Sequence, residues 1–112
     1  MAYNEKLADR IREALADVPN VEEKKMFRGI AFMVNDKMCV TVGDNEIMCR
    51  VDPALHEMLI AKNGCSTVMM RNREYKGWIL VSEEGIQSKK DFDYYMKLAL
   101  EFNVKAKRSK KG

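Results

Sequence analysis

Five cations, Lys24, Lys25, Arg28, Lys37 and Arg50, bracket one short region of this 112-residue chain, and the chemistry they offer is the capture of anions. Arginine presents a rigid, planar fork suited to carboxylate or phosphate, and lysine a point charge. Brought to one edge of a sheet, the five would form a cationic patch for phosphate groups or an acidic protein partner. Lys24 and Lys25 directly follow Glu22 and Glu23, however, a pattern that also describes a solvated edge strand whose charges discourage aggregation. Arg50 has Glu46 and Asp52 close by in sequence, so a structural ion pair is the simpler expectation for it.

Catalysis has little to work with. His56 is the only histidine, no serine or cysteine sits in a nucleophile motif, and no glycine-rich phosphate loop is present. Asp44, Glu46, Asp52 and Glu57 could approach one another in space, but the sequence itself shows no carboxylate pair for acid–base work. His56, on a short amphipathic segment, is expected to be half exposed. Cys39, Cys49 and Cys65 are odd in number and widely spaced, which argues against a disulfide framework and fits reduced thiols packed as small core residues. With His56 as the fourth ligand and no Cys-x-x-Cys clamp, they make a poor zinc set. The expectation is a non-enzymatic protein with no catalytic residues, no metal and no cofactor.

A chain of this length supports one domain around one core. Its composition, 46% hydrophobic and 33% charged, is that of a folded protein. No apolar run approaches a membrane span, and the Met1-Ala2-Tyr3-Asn4-Glu5 start lacks a signal pattern, so a cytoplasmic protein without membrane contact is expected. The net charge of +3 is carried by the terminus, where Lys105, Lys107, Arg108, Lys110 and Lys111 crowd together. Residues 1–104 are read as the domain and 105–112 as a basic, disordered tail able to attach loosely to nucleic acid.

The elements that must position these residues follow from periodicity. Leu7, Ile11, Ala14, Leu15 and Val18 recur at helical spacing, and that helix ends before Pro19-Asn20. An extended segment follows over Val21 to Phe27. Ile30, Phe32 and Val34, then Met38, Val40 and Val42, alternate with period two about a turn at Asn35-Asp36-Lys37. Gly43-Asp44-Asn45 leads into a strand over Glu46 to Val51. Asp52-Pro53 opens a helix containing Leu55, Met58 and Leu59, and Asn63-Gly64 ends it with glycine in the left-handed position. Strands are expected over Thr67 to Arg71 and Tyr75 to Val81, joined by Asn72-Arg73-Glu74. Trp78 and Leu80 point one way and Ile79 and Val81 the other. Ser88 and Asp91 cap a last helix carrying Phe92, Tyr95, Met96, Ala99 and Phe102. Of the nine methionines, most fall within these elements and are expected to fill the core, with an exposed subset at a partner face as the alternative. The result is an α+β fold, an antiparallel sheet with helices mainly on one face, in the order α-β(3–4)-α-β(2)-α.

The segment Lys24-Lys25-Met26-Phe27-Arg28-Gly29-Ile30-Ala31-Phe32-Met33, followed by Lys37-Met38, resembles the opening hairpin of the N-terminal domain of the TfoX/Sxy competence regulators. Arg50-Val51 with Pro53, and Lys76-Gly77-Trp78-Ile79-Leu80-Val81, support the resemblance, which covers nearly the whole chain. Arg28 stands where many relatives carry a glycine, and Gly29 is read as a structural turn residue. The resemblance implies a secretion-chaperone-like α+β domain linked to transcription regulation. Longer family members carry a second, helical domain that has no counterpart in these residues. The function expected is a regulatory interaction module acting through protein–protein contacts, with a homodimer among its candidate assemblies. The alternative is a direct, largely non-specific nucleic-acid binder using the tail and Lys24, Lys25 and Arg28.

Overall fold

The computed structural model describes residues 4–26, 29–70 and 72–106. Helix α1 (Glu5–Ala14) starts where the Asn4 side chain accepts the Leu7 N–H, and it presents Leu7, Ala8 and Ile11 to the interior. Four strands follow in a meander: β1 (Val21–Met26), β2 (Gly29–Val34), β3 (Lys37–Val42) and β4 (Glu46–Arg50). The Asp52 carboxylate caps a 3-10 turn with Pro53 at its first position, and that turn runs into α2 (His56–Ile60). Strands β5 (Cys65–Met70) and β6 (Arg73–Ser82) precede α3 (Lys89–Asn103), where Ser88 Oγ accepts the Asp91 N–H.

All pairings are antiparallel, in the order β1-β2-β3-β4-β6-β5, so the final strand inserts between β4 and β5. The expected α+β fold and its element order therefore stand. The register sorts side chains between the two faces. Phe32, Val40, Cys49 and Ile79 lie in one cross-strand row, and Ile30, Val42, Ile47 and Val81 in the next. These rows meet Leu7, Ile11, Leu15, Ile86, Phe92, Tyr95, Met96 and Ala99 in a single core. All three helices thus lie on that face. Cys39 is the extra residue of a bulge, since Phe32 faces Val40 while Met33 faces Met38. The bulge turns both Cys39 and Val40 into the core.

Several local expectations shift. The α1 helix ends at Ala14, and the turns to Val18 are tighter, with Val18 N–H bonding the Leu15 carbonyl. The β2–β3 connection is the pair Asn35-Asp36, both at positive φ as a two-residue primed turn requires, so Lys37 begins the strand. Likewise Arg73 and Glu74 belong to β6, and Asn72 takes the positive φ. Gly29 works by close approach, because a Cβ there would overlap the carbonyl oxygen of Val42. Gly64 has the left-handed φ of +85° expected of it. Phe27, Arg28 and Arg71 lie outside the described residues, as do 107–112, most of the basic tail. Lys105 and Ala106 still belong to the fold: the N–H groups of both bond the Phe102 carbonyl, and Ala106 is buried.

Candidate functional site

Of the five cations, the four described ones, Lys24, Lys25, Lys37 and Arg50, are directed to separate places. Lys24 pairs across to Ala31 and Lys25 to Ile30, so these neighbours on β1 project to opposite faces, both exposed. Lys37 reaches to α3, where its Nζ donates to the Asn103 carbonyl at 2.9 Å. The Arg50 guanidinium stands 5.4 Å from the Trp78 ring centroid and 5.9 Å from that of Phe102, between two aromatic rings. Arg28 is outside the described residues. On β1 the lysines share their strand with Glu22 and Glu23. The Arg12 guanidinium grips Glu23 through both of its oxygens at 2.9 Å while also bonding Asp9 at 2.7 Å. Arg12 holds the Glu23 carboxyl below its ordinary pKa through that hydrogen bond, and α1 is thereby tied to the sheet edge.

His56 departs most from expectation. It is fully buried, because α2 lies against β5 and β6 and turns the ring inward. Its Nδ1 accepts the N–H of Gly77 at 3.1 Å, and Nε2 lies 3.0 Å from Thr67 Oγ1 and 3.7 Å from a Glu74 oxygen. With Nδ1 an acceptor, the proton of the neutral ring sits on Nε2 and is donated toward Thr67. Gly77, at φ +94°, carries the break in the β5–β6 register, where four residues of β6 stand against one of β5. The imidazole thus serves as the surrogate backbone partner for a strand that has lost its own.

Ligand atoms of His56, Glu57 and Glu74 lie within 4.8 Å of one another, the spacing of a metal set. A metal on Nε2 would need the proton moved to Nδ1, which would then oppose the Gly77 N–H donor, so this geometry favours the neutral clamp. The thiols are equally unsuited to ligation or nucleophilic work. Burial pushes Cys39 up to about 12 and raises Cys49 further, and Cys65 is raised by partial burial while its sulfur lies 3.1 Å from the Tyr95 hydroxyl.

The sheet's second face is the larger surface feature. Ala31, Thr41, Met48 and Leu80 form one cross-strand row there, Met33 faces Met38, and Arg50 faces Trp78. None of these belongs to the core cluster, although the Arg50 guanidinium reaches Phe102 of α3. Ala31 and Met33 are buried, whereas Met38, Thr41, Met48, Trp78 and Leu80 stay half exposed. The methionines accordingly divide: Met96 fills the core, Met33, Met38 and Met48 line the open face, and Met58 and Met69 are exposed. The alternation of Trp78 and Leu80 against Ile79 and Val81 foretold the two faces, but reading the methionines as core filling obscured how apolar the open one is.

Neither the curated proteins nor the solved structures contain a match to the chain. The family model for the TfoX N-terminal domain matches residues 13–103. That span runs from the end of α1 through every strand to the last residue of α3, and by it the chain belongs to the TfoX N-terminal domain family.

Proposed function

We propose that this protein is a non-enzymatic regulatory module that acts by holding a protein partner against the helix-free face of its sheet. The observation that supports this reading is the contrast between the two faces. One is sealed by three helices, and the other bears Met38, Met48, Trp78 and Leu80 half exposed and outside that core. Flexible thioethers beside a large aromatic ring make an adaptable apolar platform. The occupant that suits it is an apolar helix face, the same kind of element that α3 lays on the opposite side. Membership of the TfoX N-terminal domain family supports a regulatory setting. The cytosol is the compartment that suits free thiols.

The test compares wild-type protein with Met48→Asp/Leu80→Asp in affinity capture from host lysate, followed by direct titration of the captured partner. The expected result is a stoichiometric protein partner bound by the wild type and weakened at least about tenfold by the double variant. Duplex or single-stranded nucleic acid bound at near-physiological salt, unaffected by the face variant but lost in Lys24→Glu/Lys25→Glu, would overturn it in favour of phosphate recognition. The division of Lys24 and Lys25 between two faces, each beside a glutamate, argues against that outcome.

A further inference from the structure

The two edges of the sheet are built differently. At one edge β1 reads Val-Glu-Glu-Lys-Lys-Met, four consecutive charges of which Glu23 is anchored by Arg12. At the other, β5 reads Cys-Ser-Thr-Val-Met-Met, with neither a charge nor a proline. Edge strands that must stay unpaired are protected by charges, prolines or bulges. The β5–β6 register does break between Thr67 and Met69, but the surplus residues are on the inner strand β6, so β5 itself remains regular. Met69, more than half exposed, adds apolar surface at this edge.

Backbone polarity points the same way. The Ser82 N–H bonds the Gly64 carbonyl at 2.8 Å, and the alternation of an antiparallel ladder then turns the N–H and C=O of Cys65 and Thr67 away from β6. The Cys65 N–H is satisfied by the Lys62 carbonyl at 3.1 Å. The Cys65 carbonyl and both backbone groups of Thr67 therefore face outward from the sheet.

We infer that β5 is the dimerisation edge, pairing antiparallel with β5 of a second copy of this chain. Charge decides the occupant. A β1 strand from another copy would bring Glu22, Glu23, Lys24 and Lys25 against an uncharged strand that offers them no partners, so head-to-tail growth is opposed. Two β5 strands oppose nothing to one another. Across a two-fold axis at Thr67, Thr67 meets its own counterpart through their outward backbone groups, Ser66 stands opposite Val68, and Cys65 opposite Met69. This interface is isologous and closes, leaving a charged β1 at each end of a twelve-stranded sheet built from two six-stranded ones. It also makes the open faces of the two copies continuous, although the dimer does not depend on what binds there.

The test uses the intact protein. Sedimentation equilibrium and amide exchange are measured on the wild type, on Ser66→Lys/Met69→Lys, whose substitutions fall at exposed positions, and on Lys24→Thr/Lys25→Thr at the other edge. The expected result is a wild-type dimer with a protected Thr67 amide. Self-association should weaken at least about tenfold in the β5 variant and stay unchanged in the β1 variant. Retained circular dichroism and cooperative urea unfolding in the β5 variant would show that assembly, not folding, was lost. A wild-type monomer at tens of micromolar overturns the proposal, as does a dimer indifferent to the β5 substitutions. Protection of Thr67 that appears only on adding an extended peptide would overturn it too, by giving the edge to a different occupant.

Discussion

His56 shows how far one side chain can carry a local structure. Its ring replaces a missing strand partner, with Nδ1 accepting from Gly77 and Nε2 facing Thr67. His56→Leu keeps the volume but leaves the Gly77 N–H buried and unpaired, and it should cost about 2–3 kcal/mol, measured by urea unfolding. His56→Asn, whose shorter amide can still offer an oxygen, should recover part of that loss. The thiols give a pH prediction. Because burial raises Cys39 to about 12 from an ordinary 9.0, its stabilising contribution is complete below 9.0 and is lost as pH rises toward 12. Alkaline unfolding should therefore begin in that window and move to higher pH in Cys39→Ala. Between pH 7 and 8, Cys39 and Cys49 should react with a disulfide reagent only as fast as the protein unfolds. Both thiols were legible as core residues from their spacing and type. The burial of His56 was not, because a polar ring on a short amphipathic helix reads as surface until the broken register beside it is known.

At the scale of the element, close backbone approach is the strictest demand. Gly29→Ala places a methyl group into the Val42 carbonyl and should destabilise by about 3 kcal/mol or more, seen as a lowered midpoint of thermal unfolding. The need for glycine was visible in the sequence, but its cause was misread as a turn, since alternation locates a strand without showing which neighbouring backbone crosses it. The link from α1 to β1 is weaker. Arg12→Ala removes partly exposed pairs with Glu23 and Asp9 and should cost only ~0.5 kcal/mol. It should nevertheless speed amide exchange along β1. Since Arg12 lowers the Glu23 pKa, that pair contributes above the ordinary carboxylate range and fades as pH falls through the lowered value. Salt should weaken it as well. Helix boundaries at Asn4, Asp52 and Ser88 behave as capping residues predict, and Asp52 and Ser88 were plain in the sequence. Two hairpin turns expected to be three residues long have two, because Asn and Asp tolerate the positive φ that allows two-residue connections.

For the whole molecule, the layered α+β arrangement followed from the order of periodic segments, whereas the strand order did not. Nothing in the local pattern of Tyr75 to Val81 reveals that it pairs with β4 on one side and β5 on the other, because that choice is made by packing under α2 and α3. The described members of the expected cationic patch separate for a related reason: Lys24, Lys25, Lys37 and Arg50 are close in sequence, but strand alternation and the reach of α3 send them to different places. The apolar open face, by contrast, was written in alternate strand positions from Ala31 to Leu80. No helix of the described residues is long and apolar enough to cross a membrane.

The position of β6 also dictates an order of events as the chain leaves the ribosome. The first four strands can assemble as they emerge, but β5 then appears with nothing to join, since its only neighbour in the sheet is still unmade. Until residues 73–82 are released, the backbone of β4 is a raw edge, and Ile47 and Cys49 lack the strand that completes their side of the core. Completion needs the β5–β6 hairpin, whose longer inner strand supplies the missing neighbour of β4. Slow release of residues 73–82 would prolong the interval in which that edge stands open.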